Sequence, residues 1–95
     1  MIFPDFKGLP IIPTRSAMNE MSELGMTLWD VLEVLEYGQD CYASKRRNGT
    51  LERCLDKGKR TTKVVVIRSH NWSLCTDVWA LVHVGQIARR RGKRR

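Results

Sequence analysis

Long apolar runs are missing from this chain. No stretch of its 95 residues approaches the roughly 20 apolar residues needed to cross a bilayer, so no membrane-spanning helix is expected. Cysteine is scarce. Cys41, Cys54 and Cys75 are an odd number at no repeating interval, which excludes a disulfide framework. No CxxC or HxxxH spacing accompanies them, so neither metal nor cofactor is expected. The opening Met1–Phe6 lacks a basic region followed by an apolar one, the mark of a secretion signal. These shortages together read as a reduced, cytoplasmic protein. A glycine-rich phosphate loop, paired carboxylates and a Ser/His/Asp arrangement are also missing, which removes the common hydrolase and nucleotide-binding classes. Histidine occurs twice, at His70 and His83, and these are the only side chains with an ordinary pKa near neutrality.

What is present is a sorted distribution of charge. Met1–Asp40 holds two basic and seven acidic residues, whereas Cys41–Lys63 holds eight basic and two acidic. Val64–Ala88 is balanced, and the last seven residues, Arg89–Arg95, add six positive charges to reach a net +7. A basic middle and a basic tail beside an acidic first part point to a polyanionic partner.

The three prolines (Pro4, Pro10, Pro13) all fall within residues 1–13, among Ile2, Phe3, Phe6, Ile11 and Ile12. Proline removes amide donors, so this segment is expected as an extended apolar arm that packs across the body or docks into a partner. Residues 14–88 form a single domain and residues 89–95 a flexible basic tail. A first helix is expected from Thr14 or Ser16 to Leu24, closed by Gly25. A second starts at Thr27, where Asp30 completes a capping box. Leu28, Val31, Leu32 and Leu35 give it an apolar stripe, and Gly38 ends it.

Beyond Gly38 the pattern turns to strands. Asn48-Gly49 is a hairpin signal that would set Lys45 opposite Glu52 and Ala43 opposite Cys54. Lys57-Gly58-Lys59-Arg60 reads as a turn, and Lys63–Arg68 as a buried strand. Ser69-His70-Asn71 reads as a further turn before a strand from Trp72 to about Leu81. Val82–Ile87 either extends that strand or starts a helix. The expected fold is α+β: two N-terminal helices packed on a four-stranded antiparallel sheet.

Gly25-Met26-Thr27, Asp30-Val31, Val34-Leu35 and Gly38, then a basic hairpin, a Val-rich strand and Leu74-Cys75-Thr76, carry a resemblance. Residues 15–80 resemble domain-of-unknown-function family 4258, which is similar in layout to ribonuclease toxins of the RelE and BrnT kind. Where members often carry His and Arg on the first helix, this chain has Ser16 and Glu20. The resemblance implies RNA as partner, at the ribosome for toxins of this kind, metal-independent endoribonuclease activity, and an antitoxin. Residues 1–13 are the expected seat of that antitoxin or of a second copy.

The candidate site follows from the chemistry RNA demands. Arg46, Arg47, Arg53, Lys57, Lys59, Arg60 and Arg68 are candidate phosphate contacts, joined by Arg89, Arg90 and Arg91 of the tail. The bland alternatives are a charged sheet edge that blocks aggregation and a tail that folds onto the acidic helices. Metal-free cleavage needs a base for the 2′-hydroxyl and an acid for the leaving oxygen, for which His70, His83 and Tyr42 are the candidates. Trp29, Trp72 and Trp79 read as core or interface. The competing functions are a non-catalytic nucleic-acid binder and a protein–protein module docking through its arm.

Overall fold

Residues 3–41 and 49–88 are described by the structure, a computed structural model. In chain order they form β1 (Asp5–Phe6), β2 (Leu9–Pro13), α1 (Arg15–Leu24), α2 (Leu28–Tyr37), β3 (Gln39–Asp40), β4 (Thr50–Lys57), β5 (Arg60–Asn71) and β6 (Thr76–Ala88). The strands make one sheet in the order β1-β2-β6-β5-β4-β3, curled into a half-barrel. This corrects the expected four-stranded antiparallel sheet. There are six strands, β2 pairs with β6 in parallel, and both helices are inserted after the second strand.

The difference originates in residues 5–13, expected as an arm. Lys7 and Gly8 have φ of 53° and 82°, and positive φ at both central positions closes a two-residue hairpin with Phe6 opposite Leu9. Pro10 and Pro13 are tolerated because β2 needs few ladder donors: β6 pairs with it only over Ile11–Pro13. Phe6 and Ile11 are buried in the chain's own core, and the Trp79 indole donates to the Phe6 carbonyl at 2.9 Å.

Helix α1 is capped by Thr14, whose hydroxyl accepts from the Ala17 amide, and it ends at Gly25 in the left-handed region. The Thr27–Asp30 capping box starts α2 as expected. Val31, Val34 and Leu35 of α2 and Ala17 and Met21 of α1 meet Val64, Val66, Leu81 and Val84 of the sheet in one core.

Three further expectations change. Gln39 lies opposite Cys54 and Asp40 opposite Arg53, and the Cys41 amide donates to the Glu52 carbonyl. The β3–β4 register is therefore four residues away from the one that pairs Ala43 with Cys54; Glu52 lies 3.7 Å from Lys63 Nζ, and Ala43 and Lys45 lie outside the described residues. Cys41 and Cys54 form a disulfide, so Cys75 is the free thiol among the described residues. Ser69–Asn71 is strand, with the turn at 72–75 and Asn71 opposite Thr76. The last strand thus starts at Thr76, runs to Ala88, and holds His83 within it.

A bulge interrupts β6. Val65 faces His83 and Val66 faces Leu81, leaving Val82 as the extra residue. That extra residue lets Leu81 and Val84, three apart, both face the helices. Of the tryptophans only Trp79 is core, at 7% exposure; Trp29 and Trp72 are 59% and 83% exposed. No helix among the described residues is long and apolar enough to cross a membrane.

Candidate nucleic-acid interface

The long β5–β6 hairpin runs past the helices and ends in an exposed cluster. Its turn is held by Asn71, whose side-chain oxygen accepts the Leu74 amide at 2.9 Å. Cys75 takes the left-handed conformation, φ 56°, that returns the chain to β6. Just below the turn, His70 stands directly opposite Asp77. Its Nδ1 is 3.1 Å from one Asp77 oxygen, and Arg68 Nη2 is 3.5 Å from the other, at the limit of a hydrogen bond. The Trp72 ring meets the His70 ring edge-on, with centroids 4.3 Å apart and planes at 67°.

The His70 contact, then the Arg68 charge, hold the Asp77 carboxyl below its ordinary 3.8. A lowered acid contributes its stabilisation above the unfolded value and loses it as pH falls through the folded one. The carboxylate is therefore ionised throughout the neutral range. A proton on His70 Nδ1 would donate to that carboxylate, the tautomer in which Nε2 is the acceptor. An imidazole oriented by a carboxylate, an arginine beside it and an exposed indole can take a phosphate and a base together.

His83 is elsewhere. Its Nδ1 lies 3.0 Å from Glu20 of α1, and the other Glu20 oxygen accepts the Val84 amide at 2.9 Å. This carboxylate caps the edge of β6 just past the bulge, where β2 has left it. His83 pairs with Val65, five residues along β5 from His70, or about 17 Å at strand rise. The alternation of side chains puts it on the opposite face of the sheet.

The expected phosphate contacts do not all converge. Arg53 turns under α2, where Nη1 donates to the Gly38 carbonyl at 3.0 Å and Nε lies 3.7 Å from Asp40. Lys57 pairs with Glu33 of α2, and that contact raises its pKa above 10.5. Arg60 Nη1 donates to Gln86 at 3.2 Å, and Lys59 is exposed in the β4–β5 turn. Lys57, Lys59 and Arg60 sit at one end of β5 and Arg68 near the other, about 26 Å away for eight residues of strand. Tyr42, Arg46, Arg47, Arg89, Arg90 and Arg91 lie outside the described residues. Gly49, the first described residue after Arg46 and Arg47, offers its carbonyl to the Arg68 amide at 2.7 Å. Gly49 itself therefore stands beside Arg68 of the hairpin.

Asp77 escaped the sequence reading, and Trp72, expected as core or interface, is 83% exposed. The missed signal is symmetry about the four-residue turn 72–75, with His70 and Asp77 one step outside Asn71 and Thr76. Centring the turn on 69–71 moved His70 off the strand and hid the pair. No protein-family model matches this chain, and neither a curated protein nor a solved structure is found to be similar to it.

Proposed function

We propose that the chain binds single-stranded RNA through the end of the β5–β6 hairpin. Trp72 stacks on a base, and Arg68 and His70 hold the adjoining phosphate. The basic residues rooted at Gly49, Arg46 and Arg47 among them, extend the contact. The observation that carries this reading is Trp72, 83% exposed yet held against a carboxylate-oriented imidazole. An exposed indole beside an arginine and an imidazole offers a face on which a base can stack. The cytoplasm is the place of action that an RNA partner implies.

A cleavage reading has one favourable observation, the Asp77–His70 pair, which suits a general base with Arg68 beside the phosphorane. It lacks a second imidazole, because His83 is on the other face. Binding is therefore the function proposed, with hydrolysis as a subsidiary activity to be read in the same tubes.

Titration of labelled single-stranded RNA against wild type and Trp72→Ala in EDTA tests both. Loss of one stacked base weakens binding by about 1–3 kcal/mol, roughly fivefold or more, while thermal unfolding stays put. Equal affinities for the two proteins would remove the hairpin end from the interface. Intact RNA after a single-turnover incubation at micromolar protein would leave binding alone.

A further inference from the structure

At the edge of the sheet farthest from β1, two sulfurs join a weakly held strand to its neighbour. β3 is two residues long, both exposed, and pairs only with β4. Cys41 follows it and donates its amide to Glu52. Cys54 stands opposite Gln39 on one side and Lys63 on the other. The two cysteines are diagonal neighbours on the helix-free face, half-buried, with Cα atoms 5.2 Å apart and 13 residues between them in sequence. Lys63 starts opposite Cys54 and carries its Nζ to 3.7 Å from Glu52, which itself faces Cys41. Lys63 thus shares a sheet face with both cysteines, a face that no helix covers among the described residues.

We infer that Cys41–Cys54 is a redox-active disulfide, open to dithiols, whose reduction unlatches β3 and the end of α2 from β4 while the remaining fold holds. A thiolate of the dithiol attacks Cys41 Sγ, and the protein S–S bond breaks with its electron pair leaving on Cys54. The Lys63 ammonium offsets that charge until solvent supplies a proton. The second thiol of the reagent then attacks its own bonded sulfur and expels Cys41, which is protonated in turn. The dithiol ends as a cyclic disulfide, and the protein has gained two electrons and two protons.

The opening is local for structural reasons. β4 keeps eight residue pairs with β5, and neither cysteine belongs to the core. Without the disulfide β3 keeps two pairs and the contacts of Arg53 with Gly38 and Asp40. Short edge elements of this kind open before the body does. The inference is independent of RNA binding.

The full chain, air-oxidised and then treated with dithiothreitol without denaturant, tests it by thiol titration and amide hydrogen exchange. One thiol is expected before reduction and three after it. On reduction the Cys41 amide should exchange about tenfold faster or more, with the β5 amides unchanged, and Cys41→Ser/Cys54→Ser should match the reduced form. Three free thiols after air oxidation, no reduction short of unfolding, or unaltered Cys41 protection would each overturn the inference. Lys63→Met should slow reduction about threefold or more; an unchanged rate would overturn the part given to Lys63.

Discussion

A β-carbon on Gly38 would lie 2.4 Å from the Val34 carbonyl oxygen and 2.7 Å from that of Cys54. Its backbone is extended, φ −79° and ψ −176°, so the requirement is for space and not for unusual torsion. The end of α2 touches the backbone of β4 here, and only glycine fits between them. Both obstacles are main chain, so they cannot swing aside. Gly38→Ala should destabilise the fold by about 1–3 kcal/mol, read as a lowered urea midpoint with an unchanged slope. The sequence marked Gly38 as the stop of a helix, and that was correct; the close approach depends on a strand 16 residues away and leaves no local trace. The same holds for Asp77, an ordinary acid until its partner across the hairpin is known.

At the level of elements, several local signals were read correctly, whereas Ser69–Asn71, expected as a turn, is strand, and the Lys63–Arg68 stretch is buried on one face only. The Thr27–Asp30 box, the stripe of Val31 and Leu35, Gly25, the Gly58 turn and the Val-rich centre of β5 each state their geometry within one or two turns of chain. The parallel docking of β2 on β6 joins residues nearly 70 apart, and the prolines of β2 argue against a strand by every local measure. The register expected from Asn48-Gly49 is not the one β3 and β4 adopt, because the α2–Gly38–β3 connection sets Gln39 opposite Cys54; Asn48 itself lies outside the described residues. Helix α2 is also tied to the β4–β5 turn by Lys57 and Glu33. Lys57 is raised above 10.5 chiefly by that hydrogen bond. A raised base contributes its stability below the unfolded pKa and loses it as pH climbs through the folded one. Lys57→Met should therefore cost less than about 1 kcal/mol near neutrality, as exposed pairs do, and the gap from wild type should close above pH 10.5. Urea unfolding of both proteins at neutral and strongly alkaline pH checks the sign.

The molecule as a whole is less basic than its composition suggests. The described residues carry eight basic and ten acidic side chains, a net −2, so the surplus cations belong to residues 42–48, with three, and 89–95, with six. Sequence sorting of charge therefore describes where the surplus cations lie along the chain better than it describes individual contacts. Several expected phosphate ligands, such as Arg53 and Lys57, are engaged with the helices. If RNA is the partner, log affinity should fall with log salt, and truncation after Ala88 should flatten that slope by up to about 4, from six charges at about 0.7 each. Trp72→Ala should lower affinity without changing the slope; filter binding across a salt series separates the two. The unbroken twelve residues of β5 fix one more property. Gly49 meets Arg68 near one end and Ala88 meets Arg60 at the other, so the strand fixes the spacing between the described residues that adjoin the two basic segments in sequence. If RNA is the partner and engages both ends of β5, oligonucleotides too short to span about 26 Å should reach one end at a time and longer ones gain avidity from both, so affinity should rise in a step with ligand length.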